Sequence, residues 1–415
     1  MTISPSAARF AAKLLSVDEA RERILGRVRT LEAVRLPLGE ALGSTLAEDV
    51  RTDRDVPPFR NSAMDGYAVR AADVGSAPTR LRVVERISAG VMPQRAVGAG
   101  EAARIMTGAP LPEGADTVVR IEDTDAGTEL VTVTVATPAG TSVREAGEDK
   151  RAGTLALERG TVLRPAEIGV LGTVGCARPV VTRRPRVAVI STGDELVELD
   201  APIAPGQIRD SNRYAIAAAV RAAGAEAITP GIVRDDPSLL RAALVSGAES
   251  CDAIVTIGGV SVGDHDHVKP ALESLGSMDF WSIAIRPGRP LAFGEIGSRR
   301  TPVFGLPGNP VSSLLTFDLF VRPALLRMWG RTHLQRPRTT ARLLDYIHKP
   351  AGLRFYARGI HDLGAGTVRT TGPQGSNLLS SLSRANCLID VPQESTQAVA
   401  GSTVTVILTD LPEDS

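Results

Sequence analysis

The amino-acid sequence predicts a multidomain protein of the α/β plus β class, built around a central three-layer α/β domain with a mostly parallel sheet. Three observations support this prediction. From residue 186 onward, apolar β-branched runs alternate with helical patterns, which is typical of parallel strands flanked by helices. At 415 residues, the chain is too long for a single hydrophobic core. Aromatic residues make up only 3%, whereas 40 Gly and 28 Pro indicate many tight turns.

The residues before the α/β region predict a helix followed by a β-rich domain. Residues 17–26 place apolar side chains at helical spacing after Ser16, a favourable N-cap residue, and we expect this amphipathic helix to pack against residues distant in sequence. Residues 49–141 contain short alternating runs separated by Gly and Pro turns, which predict a β-rich domain. Three of these runs are residues 81–84, 117–121 and 131–135.

A second helical segment follows the β-rich domain. Pro165 suits the first turn of a helix, and Gly172 or Gly175 would end it. We group this region, residues 142–184, with residues 1–48 as one discontinuous helical linking domain.

An α/β domain and a C-terminal β domain complete the chain. Residues 185–331 alternate strands and helices up to a long helix that begins at Asn309–Pro310 and ends near Trp329. The other expected elements are strands over 187–190, 228–233 and 253–257 and helices over 212–223 and from 237. Residues 332–415 return to short strands, including 367–371 and 403–408, and predict a β-barrel-like domain.

Composition excludes several classes of function. The formal net charge is +0, so no global charge recruits nucleic acid or an anionic membrane. No apolar run approaches the roughly 20 residues of a membrane span. Cys176, Cys251 and Cys387 lie far apart, which argues against a disulfide framework and a cysteine zinc site. We therefore expect a cytoplasmic protein that binds neither nucleic acid nor membrane.

Three turn-rich segments follow predicted strands of the α/β domain: residues 191–196, 258–266 and 306–313. Ligands of open parallel sheets bind beyond the carboxyl ends of the strands, so these segments are expected to converge on one crevice. Gly258, Gly259 and Gly263 allow positive φ and a close approach of backbone amides to an anion, and Ser261 adds a hydroxyl. An ordinary turn is the alternative interpretation.

Asn309–Pro310 predicts a capped helix start, where free N–H groups with Ser312 and Ser313 would form a second anion site; an ordinary capped helix is the alternative. Arg286 and Arg289 present two cations around a tight Pro-Gly turn, suited to a dianionic tetrahedral oxyanion or, alternatively, simply solvated.

Acidic residues at predicted strand ends could hold Mg²⁺ beside a phosphate site, because this cation prefers oxygen ligands. The candidates are Glu195, Asp235, Asp264 and Asp266. A helix cap is the alternative for such a residue, and Asp236 before Pro237 fits that role better than metal binding. His265 and His267 lack a third soft ligand nearby. The residues by themselves indicate a Mg²⁺-dependent enzyme that acts on a phosphorylated or anionic ligand.

Six ordered segments closely resemble the molybdopterin molybdenumtransferase family, and the resemblance runs from about Ser16 to the C-terminus. These segments are residues 61–68, 104–109, 191–196, 206–212, 258–263 and 306–312, and residues 374–376 and 386–387 extend the resemblance. The resemblance implies an elongated homodimer of four-domain subunits, with the active site shared between the α/β domain of one subunit and the β-rich domain of the other. Other proteins of molybdenum cofactor biosynthesis are further candidate partners.

The reaction implied by the resemblance inserts molybdate into adenylylated molybdopterin with the help of Mg²⁺ and releases AMP. The implied catalytic residues are Asp65, Thr107, Glu195, Asp235 and Asp266, of which Asp235 and Asp266 are the expected metal ligands. The implied substrate-binding residues are Gly258, Gly259, Ser261, Gly263, Arg286, Arg289, Ser312, Arg358 and Ser376. The last three match positions that line the family's proposed molybdate site.

The chain departs from the family's usual pattern at three places. The pair Arg286 and Arg289 stands where relatives usually carry lysines, which keeps the charge and adds forked donors. Ser282 stands where many relatives carry a Lys, and His265 replaces a smaller residue. Because the arginine pair and Lys269 remain, we expect weaker anion affinity rather than lost function.

Two other functions compete with this interpretation. A molybdopterin adenylyltransferase resembles the α/β domain and its Gly-rich loop but lacks the β-rich domain, so the Asp65 and Thr107 motifs argue against it. A non-catalytic scaffold is the other alternative, because a related domain of gephyrin also organises receptors. The sequence has no evident disordered segment for partner binding.

Overall fold

The computed structural model describes residues 14–259 and 268–409. The chain divides into two compact units. The first, here called the β-rich unit, comprises Arg35–Leu42 and Leu46–Val181, and the second, the α/β–barrel unit, comprises Met1–Val34, Gly43–Thr45 and Thr182–Ser415. The finer division into four domains stays a prediction.

Helices occur mainly in the α/β–barrel unit. The described helices are α1 (Val17–Arg27), α2 (Pro165–Thr173), α3 (Ser211–Ala222), α4 (Pro237–Ser250), α5 (Val268–Leu275), α6 (Pro310–Thr316), α7 (Arg322–Met328) and α8 (Leu379–Ser383). The predicted long helix from Pro310 is present but not regular: a π-helical segment, Phe317–Val321, joins α6 to α7. None of the described helices is long and apolar enough to cross a membrane.

Helix α1 begins where the sequence predicts. The Ser16 hydroxyl accepts the N–H of Glu19, and the Glu19 carboxylate accepts the N–H of Ser16, which together form a capping box. Its buried face, Val17, Ala20 and Ile24, belongs to the main core of the α/β–barrel unit, so the expected packing against distant residues is confirmed.

The β-rich unit contains a five-stranded sheet in the order β7-β4-β6-β5-β8. The strands up to residue 182 are β1 (Ala33–Arg35), β2 (Val50–Arg51), β3 (Asn61–Ser62), β4 (Gly66–Val69), β5 (Thr79–Ile87), β6 (Glu101–Ile105), β7 (Thr117–Arg120), β8 (Leu130–Val133), β9 (Val143–Arg144), β10 (Leu155–Leu157) and β11 (Val180–Thr182). The three predicted runs lie in β5, β7 and β8. Gly66 is required in β4, because a Cβ there would lie 1.9 Å from the Val119 carbonyl oxygen of β7.

The central sheet of the α/β–barrel unit has the order β15-β12-β17-β21-β20-β18, with β16 also paired to β12. Its strands are β12 (Arg186–Thr192), β15 (Glu226–Ile228), β16 (Ile232–Val233), β17 (Ala253–Ile257), β18 (Gly276–Ser282), β20 (Pro290–Ile296) and β21 (Thr301–Leu306), and a separate pair is formed by β13 (Leu196–Val197) and β14 (Ile208–Arg209). Pairings among β15, β16, β12, β17 and β21 are parallel, whereas β20 and β18 are antiparallel, so the prediction of a mostly parallel sheet is confirmed. The continuous strand predicted over 228–233 is wrong: Pro230 and Gly231, which has a φ of +103°, separate β15 from β16.

The C-terminal residues form a closed β-barrel, as predicted. The ring runs β24-β25-β22-β28-β26 and closes through the pairing of β26 with β24. The remaining strands of the chain are β19 (Ile285–Arg286), β22 (Arg338–Leu343), β23 (Ile347–His348), β24 (Arg354–Asp362), β25 (Thr367–Thr370), β26 (Cys387–Val391), β27 (Gln397–Ala398) and β28 (Thr403–Leu408). Strand β19 pairs in parallel with β24 and so joins the barrel to the segment that follows β18.

Candidate functional site

A cavity of about 650 Å³ lies at the carboxyl ends of β17 and β21, where an open parallel sheet binds ligands. We call it the carboxyl-end cavity. It is lined by Gly259, Ile285, Arg286, Pro287, Gly288, Arg289, Pro290, Pro307, Gly308, Asn309, Ser312, Leu353 and Ser376. The structure therefore brings together five of the residues predicted from the sequence: Gly259, Arg286, Arg289, Ser312 and Ser376.

The segment that carries Arg286 and Arg289 is held by backbone contacts on both sides. Arg286 is paired with Phe355 of strand β24, and the Ile283 N–H donates to the Arg289 carbonyl at 2.8 Å. Gly288 sits between the two arginines with a φ of +98°, and a Cβ there would lie 2.6 Å from the Thr316 hydroxyl oxygen. Only glycine fits this position without a shift of the turn or the helix.

The two arginines of this turn have no acidic partner among the described residues. Among the residues that the structure describes, no carboxylate oxygen lies within 4 Å of the Arg286 or Arg289 guanidinium. The Arg286 guanidinium carbon lies 5.9 Å from the centre of the Phe355 ring, a favourable contact that leaves its positive charge unbalanced. The cavity is therefore electropositive and suited to a small oxyanion.

The Ser376 side of the cavity is built by the barrel. Arg358 is 1% exposed, and its guanidinium donates to the carbonyls of Gln374 at 3.2 Å and Gly375 at 3.0 Å and to the Ser381 hydroxyl at 3.0 Å. Burial lowers the pKa of Arg358 to about 10. The predicted substrate-binding residue Arg358 thus lies behind the cavity wall and holds the backbone that precedes Ser376.

Gln374 completes this arrangement through its side-chain amide. Its carbonyl oxygen accepts the Arg358 N–H at 2.8 Å, and its NH₂ group donates to the carbonyls of Gly372 at 2.9 Å and Arg358 at 3.3 Å. The Arg358 guanidinium and the Gln374 amide therefore fix the Ser376 segment from two directions. In the sequence, Gln374 stood out only as part of a motif, without a predicted role.

Helix α6 begins at the cavity, but its first amides are partly occupied. Pro310 has no N–H, and the Val311 N–H donates to the Ser376 carbonyl at 3.1 Å. The expected cap by the Asn309 side chain is absent, because that side chain makes no capping hydrogen bond. The Asn212 amide instead holds the preceding turn by donating to the Gly308 carbonyl at 2.6 Å, a role that sequence reasoning missed.

The Gly-rich segment after β17 is described only in its first two residues. Gly258 and Gly259 have φ values of +89° and +66°, as the predicted cradle requires, and the Gly258 N–H donates to the Leu306 carbonyl at 3.1 Å. The other residues named there lie outside the described residues: Ser261, Gly263, Asp264, His265, Asp266 and His267.

Carboxylates gather at the neighbouring ends of β12 and β16. The Asp194 N–H donates to the Asp235 carboxylate at 3.4 Å, and the Asp235 N–H donates to the Asp194 carboxylate at 3.3 Å. Glu195 follows in the same turn and is exposed. Within residues 14–259 and 268–409, no three His, Cys, Asp or Glu side chains form a metal-binding group. Sequence reasoning did not single out Asp194, although its position directly before Glu195 could have marked it as a further candidate. Asp236 caps α4 as expected, because its carboxylate accepts the N–H groups of two residues of the first turn.

Asp65 and Thr107 lie together in the β-rich unit. One Asp65 carboxylate oxygen accepts the Thr107 N–H at 2.7 Å and the Thr107 hydroxyl at 2.8 Å. These two hydrogen bonds, with a smaller contribution from the charge of Arg104, hold the pKa of Asp65 below its usual value. The carboxylate is therefore ionised and held in a fixed orientation on an exposed surface.

The α/β sheet, the cation pair at its carboxyl edge and the barrel segment that closes the cavity define the class: an α/β protein with an appended β-barrel and an arginine-lined cavity at the carboxyl edge of its sheet. Three family descriptions match nearly the whole chain: "MoeA N-terminal region (domain I and II)" over residues 15–175, "Probable molybdopterin binding domain" over 188–327 and "MoeA C-terminal region (domain IV)" over 340–409. The chain belongs to the MoeA, or molybdopterin molybdenumtransferase, family.

Individual relatives agree with this assignment. The chain is 39% identical to molybdopterin molybdenumtransferase 2 of Mycobacterium tuberculosis, covering 94% of this chain and 98% of the relative, and 36% identical to the molybdopterin molybdenumtransferase of Haemophilus influenzae, covering 95% and 98%. The crystal structure of the molybdopterin biosynthesis moeA protein of Pyrococcus horikoshii superposes with a TM-score of 0.83 at 30% identity, over 95% of this chain and 100% of that one. The resemblance recognised in the sequence and the predicted fold class are confirmed.

Proposed function

We propose that this transferase completes the molybdenum cofactor by inserting molybdate into adenylylated molybdopterin, with release of AMP. The observation that carries the proposal is the carboxyl-end cavity, which is lined by two serines and by two arginines that have no acidic partner among the described residues. Molybdate is a tetrahedral dianion, and two forked guanidinium groups match its charge and its oxygen atoms. Relatives that cover nearly the whole chain are named molybdopterin molybdenumtransferases.

In this proposal the cavity residues have separate tasks. Arg286 and Arg289 bind the anion, and the hydroxyls of Ser312 and Ser376 donate to its oxygens. Arg358 acts through Gln374 and Gly375 as a positioning residue, because its own donors are already used by the protein. Fixing the Ser376 segment before binding avoids the entropy loss of ordering it at the moment of reaction.

Mg²⁺ is proposed as the metal of the reaction. The carboxylates of Asp235 and the neighbouring Asp194 are hard oxygen donors, and Asp194 is largely exposed, so the residues present fit this cation. Asp235 and Asp266 would hold it, with Glu195 nearby. When bound, Mg²⁺ would neutralise charge on the phosphoanhydride that is cleaved.

A homodimer with shared active sites is proposed as the working assembly. Asp65 and Thr107 are fixed but exposed, and two apolar side chains shortly before Asp65 in sequence, Phe59 and Met64, are 40% and 39% exposed. Exposed apolar residues beside an ordered carboxylate are typical of a surface that another chain covers. Asp65 of one subunit would complete the site that holds Asp266 of the other. The three free cysteines suit the reducing cytoplasm, which is the proposed location.

Release of AMP from adenylylated molybdopterin tests the proposed reaction. We expect AMP to accumulate only when both molybdate and Mg²⁺ are present, and Asp235→Asn to reduce the rate at saturating molybdate. AMP release that ignores molybdate, or consumption of ATP to adenylylate molybdopterin, would identify the preceding adenylyltransferase reaction instead.

Mixed dimers test the shared site. Asp65→Asn and Asp266→Asn homodimers should each be nearly inactive. After joint unfolding and reassembly, random pairing makes about half of the dimers mixed, and each mixed dimer holds one intact site, so about a quarter of all sites should recover. No recovery, with mixed dimers verified by mass, would place both aspartates in one subunit's own site.

A further inference from the structure

A second cavity, of about 440 Å³, lies at the opposite end of the central sheet, beside the amino ends of β17 and β21. We call it the amino-end cavity. It is lined by Gly26, Arg27, Val28, Arg29, Leu31, Cys251, Asp252, Glu295, Ser298, Arg299, Arg300, Thr301, Pro302 and Met328. Its volume is within the range of about 300 to 1,000 Å³ that is typical of small-molecule sites. The proposed molybdate chemistry makes no use of it.

The two carboxylates of this cavity are already neutralised by the protein. The Arg183 guanidinium forms a bidentate salt bridge with the Asp252 carboxylate, with both N–O distances at 2.8 Å. The same carboxylate accepts the backbone N–H of Arg186 at 2.8 Å. Burial by itself would raise the pKa of Asp252, but the hydrogen bonds and charge of Arg183 hold it below its usual value. Glu295 receives the Arg300 guanidinium at 2.6 and 3.1 Å. Arg183 also donates to the Glu32 carboxylate, and Asp252 lies 3.9 Å from Arg299, so Asp252 has two cationic neighbours, whereas Glu295 has Arg300.

The four lining arginines differ in their carboxylate contacts. Arg27 pairs with Asp279 at 2.9 Å, and Arg300 pairs with Glu295. Arg29 has no carboxylate oxygen within 4 Å in the described part of the chain. The nearest carboxylate of Arg299 is Asp252, at 3.9 Å.

The Arg299 guanidinium is nevertheless fixed in place. It donates to the Glu249 carbonyl at 2.7 Å, a contact that orients the group without neutralising its charge. Leu31, Pro302 and Met328 add an apolar wall to the same cavity. The cavity thus combines an apolar surface with Arg29, which has no carboxylate within 4 Å among the described residues, and Arg299, whose contact with Asp252 is the long one of 3.9 Å.

We propose that the amino-end cavity binds a small phosphate monoester, with its dianionic phosphate on Arg29 and Arg299 and its organic part against Leu31 and Met328. Two guanidinium forks match the charge and the tetrahedral oxygens of a phosphate better than those of a planar monoanionic carboxylate. The site is independent of the proposed molybdate reaction, because it lies at the other end of the strands.

Calorimetric titration with phenyl phosphate tests the proposal. The titration uses full-length Arg286→Gln/Arg289→Gln protein, in which the carboxyl-end cavity has lost its cation pair. We expect this protein to bind one phenyl phosphate per chain, and the additional pair Arg29→Gln/Arg299→Gln to weaken binding at least about tenfold, the effect of losing roughly 1.4 kcal/mol. The added pair Arg221→Gln/Arg369→Gln removes the same charge from exposed positions outside the cavity and should leave binding unchanged.

A site-specific signal keeps the test independent of folding defects. In protein labelled with ¹³C at the methionine methyl groups, phenyl phosphate should shift the Met328 signal. Absence of binding in the Arg286→Gln/Arg289→Gln protein, or equal weakening by the control pair, would overturn the proposal. Binding that leaves the Met328 signal unmoved would overturn it as well.

Discussion

The two cavities at opposite ends of β17 and β21 are both lined by arginines, yet they treat charge differently. At the amino end, the carboxylates of Asp252 and Glu295 are each paired with an arginine. At the carboxyl end, Arg286 and Arg289 meet no carboxylate among the described residues, and the buried Arg358 donates only to carbonyls and a hydroxyl. At the amino end, each lining carboxylate is thus paired and Arg29 is left without one, whereas at the carboxyl end neither Arg286 nor Arg289 has a carboxylate within 4 Å among the described residues.

The carboxyl-end cavity shows how a site can have a rigid wall and still carry a net charge. An ion pair would fix an arginine, but its carboxylate would also cancel most of the electrostatic attraction between that arginine and an anionic ligand. Hydrogen bonds to carbonyls fix it and leave its charge in place. Burial of an uncompensated guanidinium is unfavourable, which the lowered pKa of Arg358 reflects. We infer that the substrate oxyanion supplies the counter-charge that the described residues at the carboxyl end lack.

The largest expected effect comes from removal of the cation pair. Arg286→Ala/Arg289→Ala should lower kcat/KM for molybdate by about 100-fold or more, since each charge-assisted hydrogen bond contributes about 1.5 to 3 kcal/mol. The matched pair Arg221→Ala/Arg369→Ala removes two exposed arginines outside the cavity and should have little effect. Equal losses in the two double variants would show that general charge, rather than the cavity, attracts molybdate.

A glycine substitution tests whether the turn geometry matters as much as its charge. Gly288→Ala adds a Cβ 2.6 Å from the Thr316 hydroxyl at a φ of +98°, whereas Gly401→Ala adds one at a φ of +85° with no atom within 4 Å. Both should lower the free energy of unfolding by about 1 kcal/mol through backbone strain. Gly288→Ala should lower it by a further 1 to 3 kcal/mol, roughly, through the clash, and should raise KM for molybdate. Equal denaturant midpoints for the two variants would contradict the close approach.

A smaller effect is expected from the segment that carries Ser376. Gln374→Ala removes the side-chain amide that bonds to Arg358 and Gly372 and should raise KM for molybdate about five- to tenfold, the equivalent of about one hydrogen bond. Because Gln374 lies behind the cavity wall, kcat at saturating molybdate should change less than KM. A loss confined to kcat would argue against a positioning role.

The smallest effect concerns the β-rich unit. Thr107→Val removes the hydroxyl that donates to Asp65, so the pKa of Asp65 should rise toward its usual value, measured by carboxyl ¹³C NMR titration. A depressed folded-state pKa contributes stability above the unfolded pKa that is lost as pH falls through the folded value. The free energy of unfolding of the variant should therefore decrease less than that of the original protein as the pH falls. Thr132→Val alters the surroundings of Asp125 and should leave Asp65 unchanged.

The sequence predicted the parts of this molecule that depend on local patterns. The Ser16 cap, the period of α1 and the strand over 403–408 are visible in neighbouring residues, and the structure confirms them. The Arg286–Arg289 turn was predicted because Pro and Gly mark it directly. The sequence analysis missed the break in the strand at Pro230 and the π-helical segment inside the long helix predicted from Pro310. Apolar runs indicate the type of an element better than its continuity.

The role of Arg358 could not be predicted from the sequence. A match to a family position places it at the site, but its partners Gln374, Gly375 and Ser381 come near only when the barrel closes. Contacts between residues that are far apart in sequence cannot be predicted from a local pattern. The same reason explains why Asn212, which holds Gly308 from 96 residues away, gave no signal beyond its motif.

Anomalous diffraction at the molybdenum absorption edge tests the central claim most directly. Crystals of the full-length protein soaked in molybdate should show a molybdenum peak in the carboxyl-end cavity, between the guanidinium groups of Arg286 and Arg289 and the hydroxyls of Ser312 and Ser376. Crystals of the Arg286→Ala/Arg289→Ala variant should lack that peak. A molybdenum peak in the amino-end cavity alone, or an unchanged carboxyl-end peak in the double variant, would contradict the claim that unbalanced cations at the carboxyl end bind the oxyanion.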